Sequence, residues 1–395
     1  MKRLPASATL AMASLVSLGA QALMGVAMLH FFSPEATGRF AVIAQVAFFW
    51  VTLALAQGPL TFLADARQPP AQALRAVLRA SLARWGLLLP LVGAAIWFGA
   101  MAQPLAVLGW AALLALLQML WYLAQPWALR TAAPASAALA RALPPVLALA
   151  LAAGWSALHG GDSQGAMGLL IAAAGGYALG ALWLLPTQGN AHADTAPAAQ
   201  APRQADRRSA WLRMAHTVMD AVTGTALLLV WQRLHGVADA SYLAVLLRLL
   251  GFMPTIVHAA WAQVLLARRE TARARSLAIG LGAALATGLV GLAGAALLDM
   301  GLLAEGWRGL RPYILPLVLW QSSACLFAAL SHRPFQQGRE RRYSHLAIAF
   351  DALQLLVLVL PLLGAAAWPP AIHLWWLAGV SSAGLLALSV WMAGN

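Results

Sequence analysis

Residues 31–42 read FFSPEATGRFAV, and residues 234–245, which lie 203 positions further along the chain, read LHGVADASYLAV. Each stretch stands between two apolar runs of similar length, and FAV at 40–42 coincides with LAV at 243–245 at this offset. Repeats of this kind are typical of membrane transporters that are built from duplicated halves. The two stretches therefore predict a parallel repeat, in which the fold of the first half recurs in the second half.

The composition places these stretches in a membrane protein. Of the 395 residues, 62% are apolar and only 9% are charged, whereas soluble domains are about one-quarter charged. This composition excludes an ordinary soluble enzyme. Because a helix needs about 20 apolar residues to cross the hydrocarbon of a bilayer, the chain has room for about a dozen crossings and for no sizeable soluble domain.

Apolar runs between charged or Pro/Gly-rich breaks predict twelve membrane spans. The first run continues to Phe32, which is too long for the core of a signal peptide, so we interpret it as a helix that is retained. The predicted spans cover residues 8–32, 40–63, 85–101, 104–125, 142–158, 166–185, 213–234, 241–266, 276–298, 313–331, 344–364 and 372–393.

The longest loop divides the spans into two sets of six. It covers residues 186–212 and is rich in Pro, Ala, Gln and charge without an apolar period, which predicts a flexible linker. The predicted fold is therefore an all-α membrane protein with a six-helix lobe over 1–185, the linker, and a second six-helix lobe over 213–395. We expect the two lobes to surround a central cavity.

The distribution of basic residues predicts the orientation in the membrane. The N-terminus and the even-numbered loops carry 20 Lys and Arg residues, whereas the other loops carry four, Arg39, Arg233, Arg308 and Arg311. Since basic residues accumulate in cytoplasmic loops, both termini are predicted to be cytoplasmic, in the inner membrane of a bacterium. The net charge of +13 is then a topology signal that also suits anionic lipid headgroups, and nucleic acid is not an expected partner.

Ionisable side chains inside the spans indicate where a transport pathway runs, because they are costly at membrane depth unless they face a cavity or a partner. Three residues qualify: Asp220, Arg248 and Asp351. Asp220 and His258 fall at similar depths on adjacent antiparallel spans, so they are expected to be able to meet. The alternatives are a structural Asp220–His258 pair and an Arg248 side chain that extends towards the headgroups.

The first predicted span carries a polar stripe, Ser14, Ser17, Gln21 and Gly25, on one helix face. Such a stripe lines a cavity or mediates close helix packing. At the offset of 203, Ser17 coincides with Asp220 and Gln45 with Arg248, as expected if both lobes face one cavity. The predicted substrate-site residues are Arg248, Gln45, Gln21, His258 and Arg39, and the predicted ion-coupling residues are Asp220 and Asp351.

The sequence contains no HExxH, Walker glycine loop, GxSxG motif or cluster of metal ligands, and it has a single cysteine, Cys325. We therefore predict a protein that is not an enzyme and that needs no cofactor or metal. Transport would draw on an ion gradient, a substrate gradient or a separate ATPase.

The tract at 32–40, FSPEATGRF, resembles the "SPEEFGRY"-like loop of bacterial polysaccharide flippases of the Wzx type. These belong to the superfamily that also holds the MATE drug exporters and the lipid II flippase, and the predicted topology is similar to theirs. The matched positions are Ser33, Pro34, Glu35, Gly38 and Arg39, which the family uses mainly as structure. We expect Pro34 and Gly38 to end one helix and turn the chain, and Glu35 to lie at the start of the next helix.

The resemblance implies a function as well as a fold. It implies a flippase that moves a polyprenyl-diphosphate-linked oligosaccharide of the O-antigen type across the inner membrane by alternating access. Cationic residues in the cavity would receive the diphosphate, acidic residues would couple to H⁺ or Na⁺, and other polysaccharide-assembly proteins would be partners.

Two other functions are compatible with the sequence. A major-facilitator transporter for a small solute has the same span count, and LADAR at 63–67 faintly echoes an Asp-containing loop of that family, although QPP at 68–70 replaces its Gly-Arg-Arg. The other is a scaffold for envelope assembly that transports nothing. The buried Asp220, Arg248 and Asp351 argue against a scaffold, because it has little reason to retain such groups.

Overall fold

A computed structural model describes residues 6–56, 58–64, 68–159, 165–185, 207–262, 265, 273–364 and 368–394. Within these residues every regular element is a helix. The first half contains α1 Ala6–Phe31, α2 Pro34–Leu55, α3 Gly58–Ala64, α4 Pro70–Leu87, α5 Leu89–Phe98, α6 Pro104–Thr131, α7 Pro134–His159 and α8 Met167–Ala181. The second half contains α9 Arg207–His235, α10 Val237–Leu250, α11 Phe252–Val257, α12 Arg273–Asp299, α13 Arg311–Leu330, α14 Arg333–Gln336, α15 Glu340–Val359 and α16 Pro370–Gly394.

The helices confirm an all-α membrane protein with about twelve spans. Among the described residues, eleven helical segments are long and apolar enough to cross a membrane, and α4 with α5 forms a twelfth span that is bent by 42°. Several span starts were predicted too late. The second span begins at Pro34 rather than at 40, the third at Pro70 rather than at 85, and the fifth at Pro134 rather than at 142. Proline is favourable at the first helical position, so these three helices start at a proline, ahead of the apolar run by which we placed them.

The spans of the first half recur in the same order in the second half. The helices that begin at Pro34, Pro70 and Met167 have counterparts that begin 203 residues later, at Val237, Arg273 and Pro370. The helices that begin at Pro104 and Pro134 have counterparts at Arg311 and Glu340, 207 and 206 residues later, so the loops around them differ by a few residues. The structure therefore extends the match seen around residues 31–42 to a parallel repeat of six spans.

The chain folds as two compact units. The first unit contains the described residues within Met1–Ala27 and Val42–Asp206, and the second contains those within Met28–Ala41 and Arg207–Asn395. In the first unit Trp121 of α6 is a packing centre. Its Nε1 donates to the carbonyl of Ala140 at 2.8 Å, and its ring stacks on Tyr177 with 5.5 Å between ring centres. These contacts hold α6, α7 and α8 together.

The second unit includes a segment from early in the chain, residues 28–41, which we call the 28–41 hairpin. Its carbonyl at Phe32 accepts a 3.1 Å hydrogen bond from Nε1 of Trp307, whose side chain is fully buried. Pro34 packs against Gly306, and Gly38 lies directly against the backbone of Val237 at the start of α10. The turn between α1 and α2 is thus part of the packed core of the second unit.

The hairpin corrects the expected role of Gly38. Only Phe32 and Ser33 separate α1 from α2, and Gly38 lies inside α2 rather than in the turn. The Ser33 hydroxyl caps α2 by accepting a hydrogen bond from the Ala36 amide at 3.3 Å. Glu35 lies in the first turn of α2, as expected. Gly38 is required by the close approach of two helices: a Cβ there would overlap the Val237 carbonyl oxygen and lie 2.8 Å from Val237 Cγ1.

We expect Gly38→Ala to lower the stability of the folded protein by roughly 1–3 kcal/mol, because the added methyl group overpacks against backbone that cannot move alone. The measurement is the unfolding temperature of the detergent-solubilised protein. Gly19→Ala is the matched control, since a Cβ at Gly19 of α1 meets nothing within 4 Å. It should leave the unfolding temperature unchanged or raise it slightly. Equal shifts in both variants would show that the hairpin does not pack as described.

Candidate functional site

Four ionisable or hydroxyl side chains meet between α9 and α15 in the second unit. Asp351 of α15 is 6% exposed, and its Oδ2 atom has no hydrogen-bond partner among the described residues. Asp220 of α9 is close enough to interact electrostatically with Asp351 and with His216, one turn earlier on α9. The ring of Tyr343 lies 5.7 Å from the His216 ring in an edge-on arrangement. The structure therefore brings the two predicted ion-coupling residues together.

Asp220 and His258, in contrast, do not form the expected pair. His258 lies in a π-helical turn, His258–Ala262, that packs on α13, whereas α9 packs along α15. Nδ1 of His258 lies 3.1 Å from Oγ of Ser331. Since the Ser331 hydroxyl donates to the Ala328 carbonyl at 2.9 Å, the proton between them belongs to His258. In this arrangement His258 joins the turn to the end of α13.

Arg248 lies near the C-terminal end of α10 and is half-buried. One guanidinium nitrogen, Nη1, lies 3.5 Å from the sulfur of Met28, a residue of the 28–41 hairpin that is only 2% exposed. A thioether is a weak acceptor. The position equivalent to Arg248 in the first half is Gln45, which is half-buried on α2. Arg39, in the second turn of α2, is exposed.

The structure adds a residue that the sequence analysis missed. Arg141 was assigned to the loop before the fifth span, but α7 begins at Pro134, so Arg141 lies seven residues, or roughly 10 Å, inside the helix. Its Nη1 atom donates to the Ser14 hydroxyl on α1 at 2.9 Å. Proline as a helix start signal could have placed α7 correctly from the sequence.

Arg141 extends the polar stripe of α1. The Ser14 hydroxyl that it contacts donates to the Leu10 carbonyl, so Ser14 is oriented to accept from the guanidinium. Further along the same face, Nε2 of Gln21 donates to the buried Ser17 hydroxyl at 3.4 Å, and Gln21 itself is exposed. The stripe thus combines a cation with two hydroxyls and an amide, which are the groups that bind phosphate and sugar oxygens.

The described acidic residues are unevenly distributed between the two units. The described residues of the first unit include no Asp or Glu, and they carry five arginines, Arg75, Arg79, Arg84, Arg130 and Arg141. Every acidic residue that the structure describes lies in the second unit: Glu35, Asp220, Asp239, Asp299, Glu305, Glu340 and Asp351. The second unit also carries more described arginines than the first, so the two units differ in where their carboxylates lie rather than in the sign of their charge.

Nothing in the described ranges suggests a metal centre, because no three His, Cys, Asp or Glu side chains are grouped there in a way that could hold an ion as ligands. Cys325 is buried in α13, with its sulfur 3.5 Å from the Thr287 hydroxyl. The candidate site therefore consists of two groups of polar side chains. One group, around Arg141 and Ser14, lies on the first unit, and the other, around Asp220 and Asp351, lies on the second unit.

No protein-family model matches the chain, and no curated protein matches it significantly in sequence. Several solved structures, in contrast, are similar to the chain in fold. The chain is similar to the MATE multidrug transporter DinF-BH, solved as a complex, with 13% identity over 96% of this chain and 93% of that one and a TM-score of 0.55. It is also similar to a MATE protein in complex with MaL6, with 14% identity, coverage of 98% and 95%, and a TM-score of 0.53. A third similar structure is the eukaryotic MATE transporter AtDTX14, with 14% identity, coverage of 97% and 92%, and a TM-score of 0.51.

These similarities extend over nearly the whole length of each chain, so they show the fold of this chain from end to end. The protein is a multi-pass membrane protein with the two-lobe, twelve-helix fold of MATE transporters.

Proposed function

We propose that the protein is a flippase that moves a polyprenyl-diphosphate-linked oligosaccharide across the bacterial inner membrane by alternating access. The observation that carries this proposal is the Arg141–Ser14 contact, which directs a cation seven residues into α7 towards the polar stripe of α1. A guanidinium held among hydroxyls and an amide favours an anionic ligand that also carries sugar hydroxyls. The FSPEATGRF tract supports the same class of substrate.

The guanidinium groups fit a diphosphate chemically. A guanidinium presents five N–H donors in a planar fork that matches phosphate oxygens. Arg141 gives one of these donors to Ser14, which fixes its direction, and others remain for a ligand. In the proposed cycle Arg141 on the first unit and Arg248 on the second unit each act as a phosphate-binding cation. Ser17, Gln21 and Gln45 bind sugar hydroxyls, and the lipid tail stays in the bilayer.

The carboxylates of the second unit would supply the coupling. Asp220 and Asp351 repel each other when both are ionised, and a bound H⁺ or Na⁺ relieves that repulsion. A cation that binds one conformation of this pair more tightly shifts the equilibrium between the inward-open and outward-open states. In this proposal both termini are cytoplasmic, as the arginine distribution predicts, and other polysaccharide-assembly proteins are the partners.

A second candidate function is the export of a cationic drug-like molecule. The observation that favours it is the same pair of carboxylates, Asp220 and Asp351, acting as the substrate site rather than as the coupling site. DinF-BH, which shares the fold, is a multidrug transporter. The fold agrees with a flippase and with a drug exporter of the MATE type, and it favours both over a major-facilitator transporter.

The proposal is tested with purified protein in liposomes that contain a polyprenyl-diphosphate oligosaccharide. The leaflet of the sugar is followed with an impermeant probe, with and without a gradient of H⁺ or Na⁺. We expect protein-dependent movement of the sugar that a gradient accelerates. Movement of a cationic dye with no movement of the sugar would replace the flippase by the drug exporter.

In the same assay we expect Arg248→Ala to abolish sugar movement while protein levels stay normal, because the variant removes a cation that receives the diphosphate. Arg248→Lys should retain part of the rate, since it keeps the charge and loses the planar fork. Arg308→Ala is the control, because Arg308 is 74% exposed and paired with Glu305 outside the proposed site. Normal flipping by Arg248→Ala would remove Arg248 from the site.

A further inference from the structure

Two arginines on α4 stand out among those of the first unit because they make no hydrogen bond or ion pair with any described residue. Arg84 donates to the carbonyls of Ala80 and Leu55, and Arg130 donates to the carbonyls of Phe62 and Gln68. Arg75 and Arg79 are exposed and have no such contact in the described part of the chain. Their charges are thus available to a molecule from outside the protein.

Arg75 and Arg79 lie on one stripe of α4 that continues into apolar residues. The spacing of Arg75, Arg79, Leu82 and Gly86 is i, i+4, i+7 and i+11, which places all four on one helix face, and all four are exposed. The opposite face packs inwards: Ser81 is fully buried, Ala73 is 5% exposed, and Trp85 stacks on Trp50 with 4.9 Å between ring centres. The stripe therefore faces away from the unit to which α4 belongs.

The apolar part of the stripe belongs to a membrane-spanning segment. Together α4 and α5 qualify as one bent span, and the exposed side chains that follow the arginines include Leu82, Leu87 and Leu89. A guanidinium at Arg79 lies one turn, about 5 Å along the axis, before Leu82, which corresponds to the step from hydrocarbon to headgroup. We therefore expect the two guanidiniums at the level of lipid phosphates.

We propose that Arg75 and Arg79 bind the phosphate of an anionic phospholipid, whose acyl chains lie along Leu82, Gly86 and Leu89. Side chains at i and i+4 project from points about 6 Å apart, so the two guanidiniums can hold the oxygens of a single phosphate. Arg130 lies beside the start of α4 through its bond to the Gln68 carbonyl and adds to the positive potential there.

The test is native mass spectrometry of the detergent-solubilised full chain, titrated with phosphatidylglycerol or with phosphatidylcholine. We expect the wild-type protein to retain phosphatidylglycerol in preference to phosphatidylcholine, and added salt to weaken this preference. Each of Arg75→Gln and Arg79→Gln should weaken the binding of phosphatidylglycerol about fivefold, and the double variant about 25-fold. Arg75→Lys with Arg79→Lys should keep most of the binding.

The matched control is Arg308→Gln with Arg311→Gln, which removes the same charge from two exposed arginines of the second unit that are paired with Glu305 and Asp299. We expect it to bind phosphatidylglycerol within twofold of the wild type. Unchanged binding by Arg75→Gln with Arg79→Gln, or an equal loss in the control, would overturn the site. If a polyprenyl diphosphate displaces phosphatidylglycerol from these arginines at equal concentration, the proposed occupant is wrong.

Discussion

Arg141→Ala should bind the diphosphate-linked substrate roughly 30-fold or more weakly and should flip it correspondingly slowly at low substrate concentration. The reason is that hydrogen bonds to a charged group contribute about 1.5–3 kcal/mol, and each 1.4 kcal/mol is a tenfold change in affinity. Arg141 is exposed and is directed by its 2.9 Å bond to Ser14, so its other N–H groups can reach a ligand. The readout is the rate of sugar movement against substrate concentration in liposomes.

Two further variants separate charge from structure at this position. Arg141→Lys keeps the positive charge and should retain part of the activity. Ser14→Ala also keeps the positive charge but removes the hydrogen bond that orients the guanidinium. The Ser14→Ala variant should therefore lose less activity than Arg141→Ala. Arg308→Ala removes an exposed arginine and should change nothing. If Arg141→Ala binds a polyprenyl diphosphate as tightly as the wild type does, then the first unit does not supply the phosphate site.

Asp351→Asn should make the protein more stable and at the same time uncouple it from the ion gradient. A buried carboxylate whose Oδ2 lacks a hydrogen-bond partner destabilises the folded state when it is ionised, so replacing it by a neutral isostere should raise the unfolding free energy by about 1–2 kcal/mol. The amide cannot take up a proton and binds Na⁺ less well than a carboxylate does. We therefore expect sugar movement in the variant to be the same with and without the gradient.

This combination of effects distinguishes a coupling residue from a structural one. Functional sites often hold groups that destabilise the fold, so stability and activity change in opposite directions when such a group is removed. Asp299→Asn is the control, because Asp299 is 58% exposed and paired with Arg311 at 3.0 Å. It should leave both unfolding temperature and gradient dependence near those of the wild type. A destabilised Asp351→Asn protein that still responds to the gradient would contradict the proposed role.

The sequence was sufficient for the features that repeat or persist over many residues. Twelve apolar runs rest on long stretches, and the helices of the structure follow them, while the offset of 203 recurs at the helices that begin at Pro34, Pro70 and Met167. The predicted linker at 186–212 lies mostly outside the described residues, and α9 begins within it at Arg207. Helix ends were harder, because hydropathy marks the apolar middle of a span and not its start. The polar first turns of α2, α4 and α7, each opened by a proline, were consequently read as loops. Arg141 was missed for that reason.

The depth of a residue along its predicted span does not tell which other helix the residue contacts. Asp220 and His258 have similar depths, and the sequence leaves open which neighbour each helix faces. In the structure α9 packs along α15, which brings Asp220 to Asp351, and the π-helical turn at His258 packs on α13. Such choices depend on complementary packing over whole helix faces, for example Gly38 against Val237. They are properties of pairs of distant segments rather than of local patterns.

The 28–41 hairpin is synthesised long before the segments of the second unit on which it packs. Its packing partners, Val237, Arg248 and Trp307, are translated about 200 to 275 residues after it. At 5–20 residues per second, roughly 14–55 s pass between the synthesis of Phe32 and that of Trp307, which donates to it. The second unit is therefore assembled around a piece that entered the membrane with the first. A second half produced without residues 28–41 would lack part of its own core, whereas the first half is made before its hairpin has anything to bind.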